Sequence, residues 1–200
     1  DGMERGLMLY ALEPELMRRV IAYQTCRANL NDAWYIRPGT DASFWGIDFA
    51  ATKGPLMSPK MFREFCLPSI RERVSAVKSR GLAAWKHACG NNWKLLDMFV
   101  EAGYDVYQSI QASAMMDMQQ VKQKYGERMV LWGGVQVEHL VSGTPEDIRR
   151  DAEYAVRVTA PGGGYIFGDT HSIAVGTQYD NFMALLDAYH DLAPQAAQMA

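Results

Sequence analysis

His87 and Cys89 stand two residues apart, at the end of the apolar run 82–85. In an extended strand, residues two apart point to the same side. An imidazole and a thiol therefore face one spot, and the turn Gly90-Asn91-Asn92 follows at once. His171 has a matching place, just past the apolar run 164–167. Two nitrogens and one sulfur from two strand ends are three ligands of a zinc site whose fourth position is open. An open position is what a catalytic zinc needs to bind and deprotonate a substrate. An H-x-C pair is a short motif, so a packing cysteine is the competing interpretation.

Further polar groups gather at the same kind of position. Asp48 ends the first strand-like run, ahead of the loop 49–55, where it could bind a substrate or a proton. Lys53 in that loop reads as a solvated charge. Tyr107, Gln108 and Gln111 flank the end of another strand, and Gln111 could donate a hydrogen bond to a ligand. Trp132-Gly133-Gly134-Val135-Gln136 closes the next one, and its two glycines predict close backbone approach to a ligand or a neighbouring turn. In Gly168-Asp169-Thr170-His171, Asp169 could orient His171 or a substrate, and His171 could act as general acid or base near neutral pH. The candidates are thus Asp48 and His171 for catalysis, Gln111, Gln136 and Asp169 for substrate, and His87, Cys89 and His171 for metal. His139 and His190 fall on predicted helices and read as structural or exposed. Cys26 and Cys66 are also helical, and burial is expected for both.

These groups need strands to carry them. Short apolar and β-branched runs predict strands over 43–49, 82–87, 104–110, 128–132 and 164–167. Helices are predicted over 14–35, from Ser58-Pro59 onward with a bend at Pro68, and over 93–102, 114–125, 144–158 and 179–192. Thr144-Pro145-Glu146-Asp147 is a helix start with acids in its first turn. The triplet Gly162-Gly163-Gly164 precedes a strand rather than opening a helix, which disfavours a phosphate cradle. Five β-then-α units in strict alternation imply a parallel sheet with helices outside, either an open doubly wound sheet or a (β/α)8 barrel. No G-x-G-x-x-G and no Walker lysine is present. Five units do not close an eight-stranded barrel, so a barrel here requires about three more units ahead of Asp1.

Composition narrows the class. Two hundred residues, 48% hydrophobic and 22% charged, suit one globular domain over residues 1–200. A net charge of -3 with no basic run gives no case for nucleic acid. No apolar stretch approaches the roughly 20 residues that cross a bilayer, and no signal peptide is visible. Three scattered cysteines point to a reducing cytoplasm rather than a disulfide framework. Five units would also leave sheet edges and apolar helix faces bare, which predicts pairing, for example as a homodimer.

Several stretches together resemble the uroporphyrinogen decarboxylase superfamily. They are Gly54-Pro55-Leu56-Met57-Ser58-Pro59 with Phe62-Arg63-Glu64-Phe65 and Leu67-Pro68, His87-Ala88-Cys89-Gly90-Asn91, Gly103-Tyr104-Asp105, Leu131-Trp132-Gly133-Gly134-Val135, and Tyr165-Ile166-Phe167-Gly168-Asp169-Thr170-His171. The resemblance runs from about Phe44 to the last helix and implies a (β/α)8 barrel of which this chain supplies about the last five βα units. It also implies one of two chemistries. Members that decarboxylate uroporphyrinogen use no metal, hold the pyrroles with an aspartate after a strand, and end the last strand in a Gly-His pair; Asp48 and His171 fall at similar places. This chain departs from them, with Asp48-Phe49-Ala50 for their Asp-Ser-Trp-Ala-Gly and Gly134-Val135-Gln136 for their Asn-Leu-Asp. Corrinoid-linked methyltransferases bind zinc through a His-x-Cys after one strand and a Cys after the last, and move a methyl group between a thiolate and a corrinoid carried by a partner protein. His87 and Cys89 match the first two ligands, and His171 stands where that branch has cysteine. One thiolate with two neutral imidazoles leaves such a zinc site at +1, which favours an anionic thiolate substrate. The resemblance therefore favours zinc-dependent methyl transfer with a corrinoid protein as partner. Metal-free decarboxylation is the alternative, and a non-enzymatic barrel that binds a tetrapyrrole or a corrinoid protein is a third.

Overall fold

The computed structural model describes residues 2–200; Asp1 lies outside the described residues. Two helices lead in, α1 (Gly2–Leu12) and α2 (Pro14–Tyr35). Strand β1 (Ala42–Gly46) is followed by a small antiparallel hairpin of β2 (Ala50–Ala51) and β3 (Gly54–Pro55). Then come α3 (Pro59–Met61), a π-helical turn over Phe62–Cys66, α4 (Leu67–Lys78), β4 (Ala83–His87), α5 (Leu96–Ala102) and β5 (Val106–Ser109). The chain continues through α6 (Met118–Tyr125), β6 (Val130–Val135), α7 (Val137–Ser142), α8 (Pro145–Thr159), β7 (Tyr165–Asp169) and α9 (Tyr179–Met199). The five long strands form one parallel sheet in the order β1-β4-β5-β6-β7, so strands successive along the chain lie side by side. That order is the barrel solution and not the doubly wound one, in which the order reverses at a switch point.

One face of the sheet is sealed by helices. Phe62, Leu95, Leu96, Phe99, Tyr107 and Leu131 form the larger core, and Val135, Leu140, Ile148, Ala152 and Leu185 form a second beside α8 and α9. The other face carries aromatics: the Trp132 ring lies 5.5 Å from Phe44 and 5.6 Å from Trp85. Phe44 remains 49% exposed there, as a residue of a barrel interior does when only five strands surround it. No helix among the described residues is long and apolar enough to cross a membrane.

Several boundaries differ from the sequence expectation for physical reasons. The strand expected over 43–49 ends at Gly46, because pairing with β4 stops at Gly46–His87. Asp48 therefore sits in the connection beyond β1 rather than at its end. The strand expected over 164–167 extends to Asp169, and the one expected over 128–132 to Val135. Pro68 is met by the π turn: Leu67 N–H donates to Phe62 O, five residues back, just before the residue that has no N–H to give. The packed face of α2 is Met17, Ile21 and Thr25, with the Thr25 hydroxyl 2.8 Å from that of Ser69. Leu16 and Val20 lie off that face and are partly exposed; Cys26 is exposed against the expected burial, and Cys66 is buried as expected. Helix α1 was not foreseen, while α7 carries His139, which was expected on a helix.

Two local devices hold this frame. At α8, Thr144 Oγ1 accepts from Asp147 N–H and Asp147 Oδ2 accepts from Thr144 N–H at 2.9 Å, a capping box. At Gly90, φ is +82°, and an added Cβ would lie 2.5 Å from the Ala50 carbonyl oxygen, so the hairpin rests directly on the turn after Cys89.

Gly90→Ala should lose about 1–3 kcal/mol of stability in urea unfolding, since both the left-handed φ and the Ala50 backbone oppose a side chain. Asp147 titrates low, near 2 instead of 3.8, because the Thr144 N–H and then Arg150 stabilise its carboxylate. A depressed acid gives stability that is complete above its unfolded pKa and is lost as pH falls through the folded one. Asp147→Asn should therefore lower Tm at pH 6, and the gap to the parent should close between pH 3.8 and about 2.

Candidate metal centre

Parallel strands release their ends on one side of a barrel, and the connections after β1, β4, β5 and β7 meet there, with Glu138 added from the one after β6. His87 is the last residue of β4, and Cys89 follows two residues on; their Nε2 and Sγ are 3.3 Å apart. His171 lies two residues past β7, and its ring stands perpendicular to that of His87 with centroids 5.2 Å apart. One ligand atom each from His87, Cys89 and His171 falls within 4.8 Å of the others. The three residues singled out for metal are thus brought together.

The tautomer of His87 follows from a chain of contacts. The Gln108 side chain is buried; its Nε2 donates to the Asp169 carbonyl at 3.3 Å, and its Oε1 meets His87 Nδ1. A carbonyl only accepts, so the amide nitrogen must face Asp169 and the amide oxygen must face His87. Nδ1 is then the donor, and Nε2 keeps its lone pair on the side of Cys89. His171 is in the opposite state: its Nδ1 accepts from Ser172 N–H at 2.7 Å. Metal binding by this exposed ring requires that bond to be given up, whichever nitrogen ligates.

The loop around Cys89 is pinned from below. Asn92 is buried, with Nδ2 within 3.1 Å of the carbonyls of Ala88, Cys89 and Gly90, and the Tyr107 hydroxyl donates to Ala88 O at 3.1 Å. Asp48 Oδ1 accepts from Cys89 N–H at 2.8 Å and lies 3.8 Å from His87 Nε2. Ser109 Oγ approaches Cys89 Sγ at 3.4 Å. Burial raises the pKa of the Cys89 thiol; the Ser109 hydrogen bond opposes this, while the charges of Asp48 and Glu138 add to it. Burial lowers the Lys86 ammonium to about 7, against the pull of Asp48 and Cys89. Burial likewise raises the Asp169 carboxyl to about 6, and its Oδ2 is buried without a partner.

The expected substrate groups divide. Gln111 stays at the site: Oε1 accepts from Gly90 N–H at 3.0 Å, and Nε2 donates to Ser113 and to Glu138. It reaches back because the chain leaves β5 through positive φ at Ser109 (113°) and Ile110 (50°), sparsely populated conformations for residues with side chains. Gln136 does not join the cluster; its backbone N–H donates to Asp151, and its amide is placed between Asp151 and His139. His139 is accordingly bound to Asp151 at 2.7 Å. Gly133 and Gly134 admit neighbours: added Cβ atoms would lie 2.8 Å from Ser109 O and 2.4 Å from Ala155 Cβ. Lys86, Asn92, Gln108, Ser109 and Glu138 were not among the sequence candidates. An alternating residue inside a strand, or a lone amide after a turn, carries no motif.

The donor set can be compared with what zinc requires. A tetrahedral ion with bonds of about 2.1 Å to nitrogen and 2.3 Å to sulfur spaces its ligand atoms roughly 3.5 Å apart. His87 and Cys89 are already near that spacing, and the exposed His171 would close the remainder by giving up its bond to Ser172. The residues fit the ion.

Comparisons with known proteins agree with this architecture. The chain resembles a methyltransferase from Methanosarcina mazei with a TM-score of 0.80 at 21% identity, over 96% of this chain and 54% of that one. It is 25% identical over 166 residues to a uroporphyrinogen decarboxylase of Neisseria gonorrhoeae, 80% of this chain and 45% of that protein. It is 24% identical over 189 residues to one from Dichelobacter nodosus, 93% of this chain and 51% of that protein. The chain spans about half the length of the curated relatives it matches. The family model for uroporphyrinogen decarboxylase (URO-D) matches residues 2–192, almost the whole chain, and the protein belongs to that family.

Proposed function

We propose that this protein is a zinc-dependent methyltransferase of the URO-D family, moving a methyl group to or from a thiol in exchange with a corrinoid held by a partner protein. The observation that carries this is the convergence of His87 Nε2, Cys89 Sγ and a nitrogen of His171, with the His87 lone pair already turned inward by Gln108. His87, Cys89 and His171 would hold the zinc, which when bound lowers the pKa of a thiol in the open position.

The chain's own groups then have defined tasks. Asp48 is half exposed and spends one oxygen on Cys89 N–H, which leaves the other to take a proton from an incoming thiol. Gln111 holds the Gly90 turn and presents Glu138 beside the site. Phe44, Trp85 and Trp132 line the approach from the barrel interior, an apolar surface that keeps water from an activated thiolate. Metal-free carboxy-lyase chemistry is the second reading. The names of the curated relatives favour it, and in it Asp48 and His171 would be the principal polar groups.

Protein purified without chelators should carry about one zinc per chain by elemental analysis, and Cys89→Ala should carry essentially none. Metal-free protein in both cases, with turnover of uroporphyrinogen that chelators do not affect, would move the assignment to the carboxy-lyase. Gln108→Leu leaves His87 Nδ1 and the Asp169 carbonyl without partners. It should weaken zinc binding by about 10–100-fold in chelator competition and lower stability by about 1–3 kcal/mol in urea.

A further inference from the structure

Lys86 is the anomaly of β4. Its neighbours Trp85 and His87 face the barrel interior, while Lys86 is 1% exposed on the helix side, with Nζ 5.0 Å from the centre of the Phe49 ring. An apolar side chain would fill this space without the cost of burying an amine. The Lys86 amine instead donates to two carbonyls, Ile47 O and, at 2.5 Å, His87 O. The Ile47 carbonyl lies one residue past β1 and the His87 carbonyl ends β4, at the point where the two strands part, because their register ends at Gly46–His87. The next residue after Ile47 is Asp48, whose Oδ1 accepts from Cys89 N–H.

We infer that Lys86 is a positioning residue of the site: by bridging the Ile47 and His87 carbonyls it fixes the β1 connection so that Asp48 engages Cys89. This deepens the zinc reading by adding a residue that shapes the same centre, but its primary test requires no metal. Either protonation state of the amine has the two N–H groups that the bridge uses.

The test is amide hydrogen exchange on the metal-free protein, comparing the parent, Lys86→Met, Asp48→Ala and the double variant. Lys86→Met should speed exchange at the Cys89 amide by about tenfold or more. Val121, whose amide is bonded to the Asp117 carbonyl that caps α6, should keep its rate. The double variant should exchange at Cys89 no faster than Asp48→Ala alone, since both changes release the same bond. Should Lys86→Met fail to fold, Lys86→Gln, whose shorter amide reaches only one carbonyl, carries the same comparison. Unchanged Cys89 protection in a folded variant would overturn the inference, as would a uniform loss of protection across the sheet or additive effects in the double variant. Zinc titration of the same proteins separates the two ideas: no binding by the parent would defeat the zinc reading and leave the exchange result standing.

Discussion

A carbonyl oxygen can accept a hydrogen bond but cannot donate one, and at Asp169 that elementary fact organises the site. It sets the direction of the Gln108 amide, which sets the proton on His87, which leaves one ring nitrogen bare beside Cys89. The contact spans the sheet, from the end of β7 through β5 to β4. It works only because the parallel register puts His87 opposite Gln108 and Gln108 opposite Trp132 in one row. A slip of one residue between β4 and β5 would put His87 and Gln108 on opposite faces.

The same region carries most of the backbone strain among the described residues. Ser109 and Ile110 take positive φ, Gly90 is packed against the Ala50 carbonyl, and Gly133 and Gly134 allow neighbours where a Cβ would collide. Strained and close-packed backbone persists where surrounding contacts over-determine it. Here the buried Asn92 and Tyr107 beneath the Cys89 loop, and the aromatic core of Phe49, Phe62 and Phe99 below, are those contacts. Rigidity at the base and sparse packing at the rim divide the site: His87 and Cys89 belong to the base, His171 to the rim.

Much of this was legible in the residues. Short apolar runs between turns located all five strands, and strand-end placement brought His87, Cys89 and His171 to one spot because a parallel sheet delivers every strand end to the same side. The Thr144–Asp147 cap was readable because capping is a local rule of spacing and side-chain chemistry. Boundaries were less so. Where β1 stops depends on its pairing with β4, a tertiary fact that the residues 43–49 do not carry alone. Gln136 and Gln111 look alike in sequence, each an amide after a strand. Only the left-handed turn after β5 and the position of Asp151 on α8 turn one toward the site and the other away. Helical periodicity placed α2 correctly, while the burial expected for its Cys26 failed, because Met17, Ile21 and Thr25 form the face that packs on the core and on Ser69.

The two histidines differ in a way that bears on how such a centre would work. His87 is set before anything binds: its tautomer is fixed, its ring is mostly buried, and its free nitrogen already faces sulfur. His171 is exposed, and its Nδ1 lone pair is occupied by Ser172 N–H. Recruiting it requires breaking that bond and turning the ring, so it is the ligand with the most to lose on binding and the least to lose on release. If a metal binds, His87 and Cys89 would hold it with little rearrangement, and His171 would join only by giving up its bond to Ser172. Its place on the exposed rim fits that conditional role, because water and the Ser172 N–H can satisfy the ring when it is free.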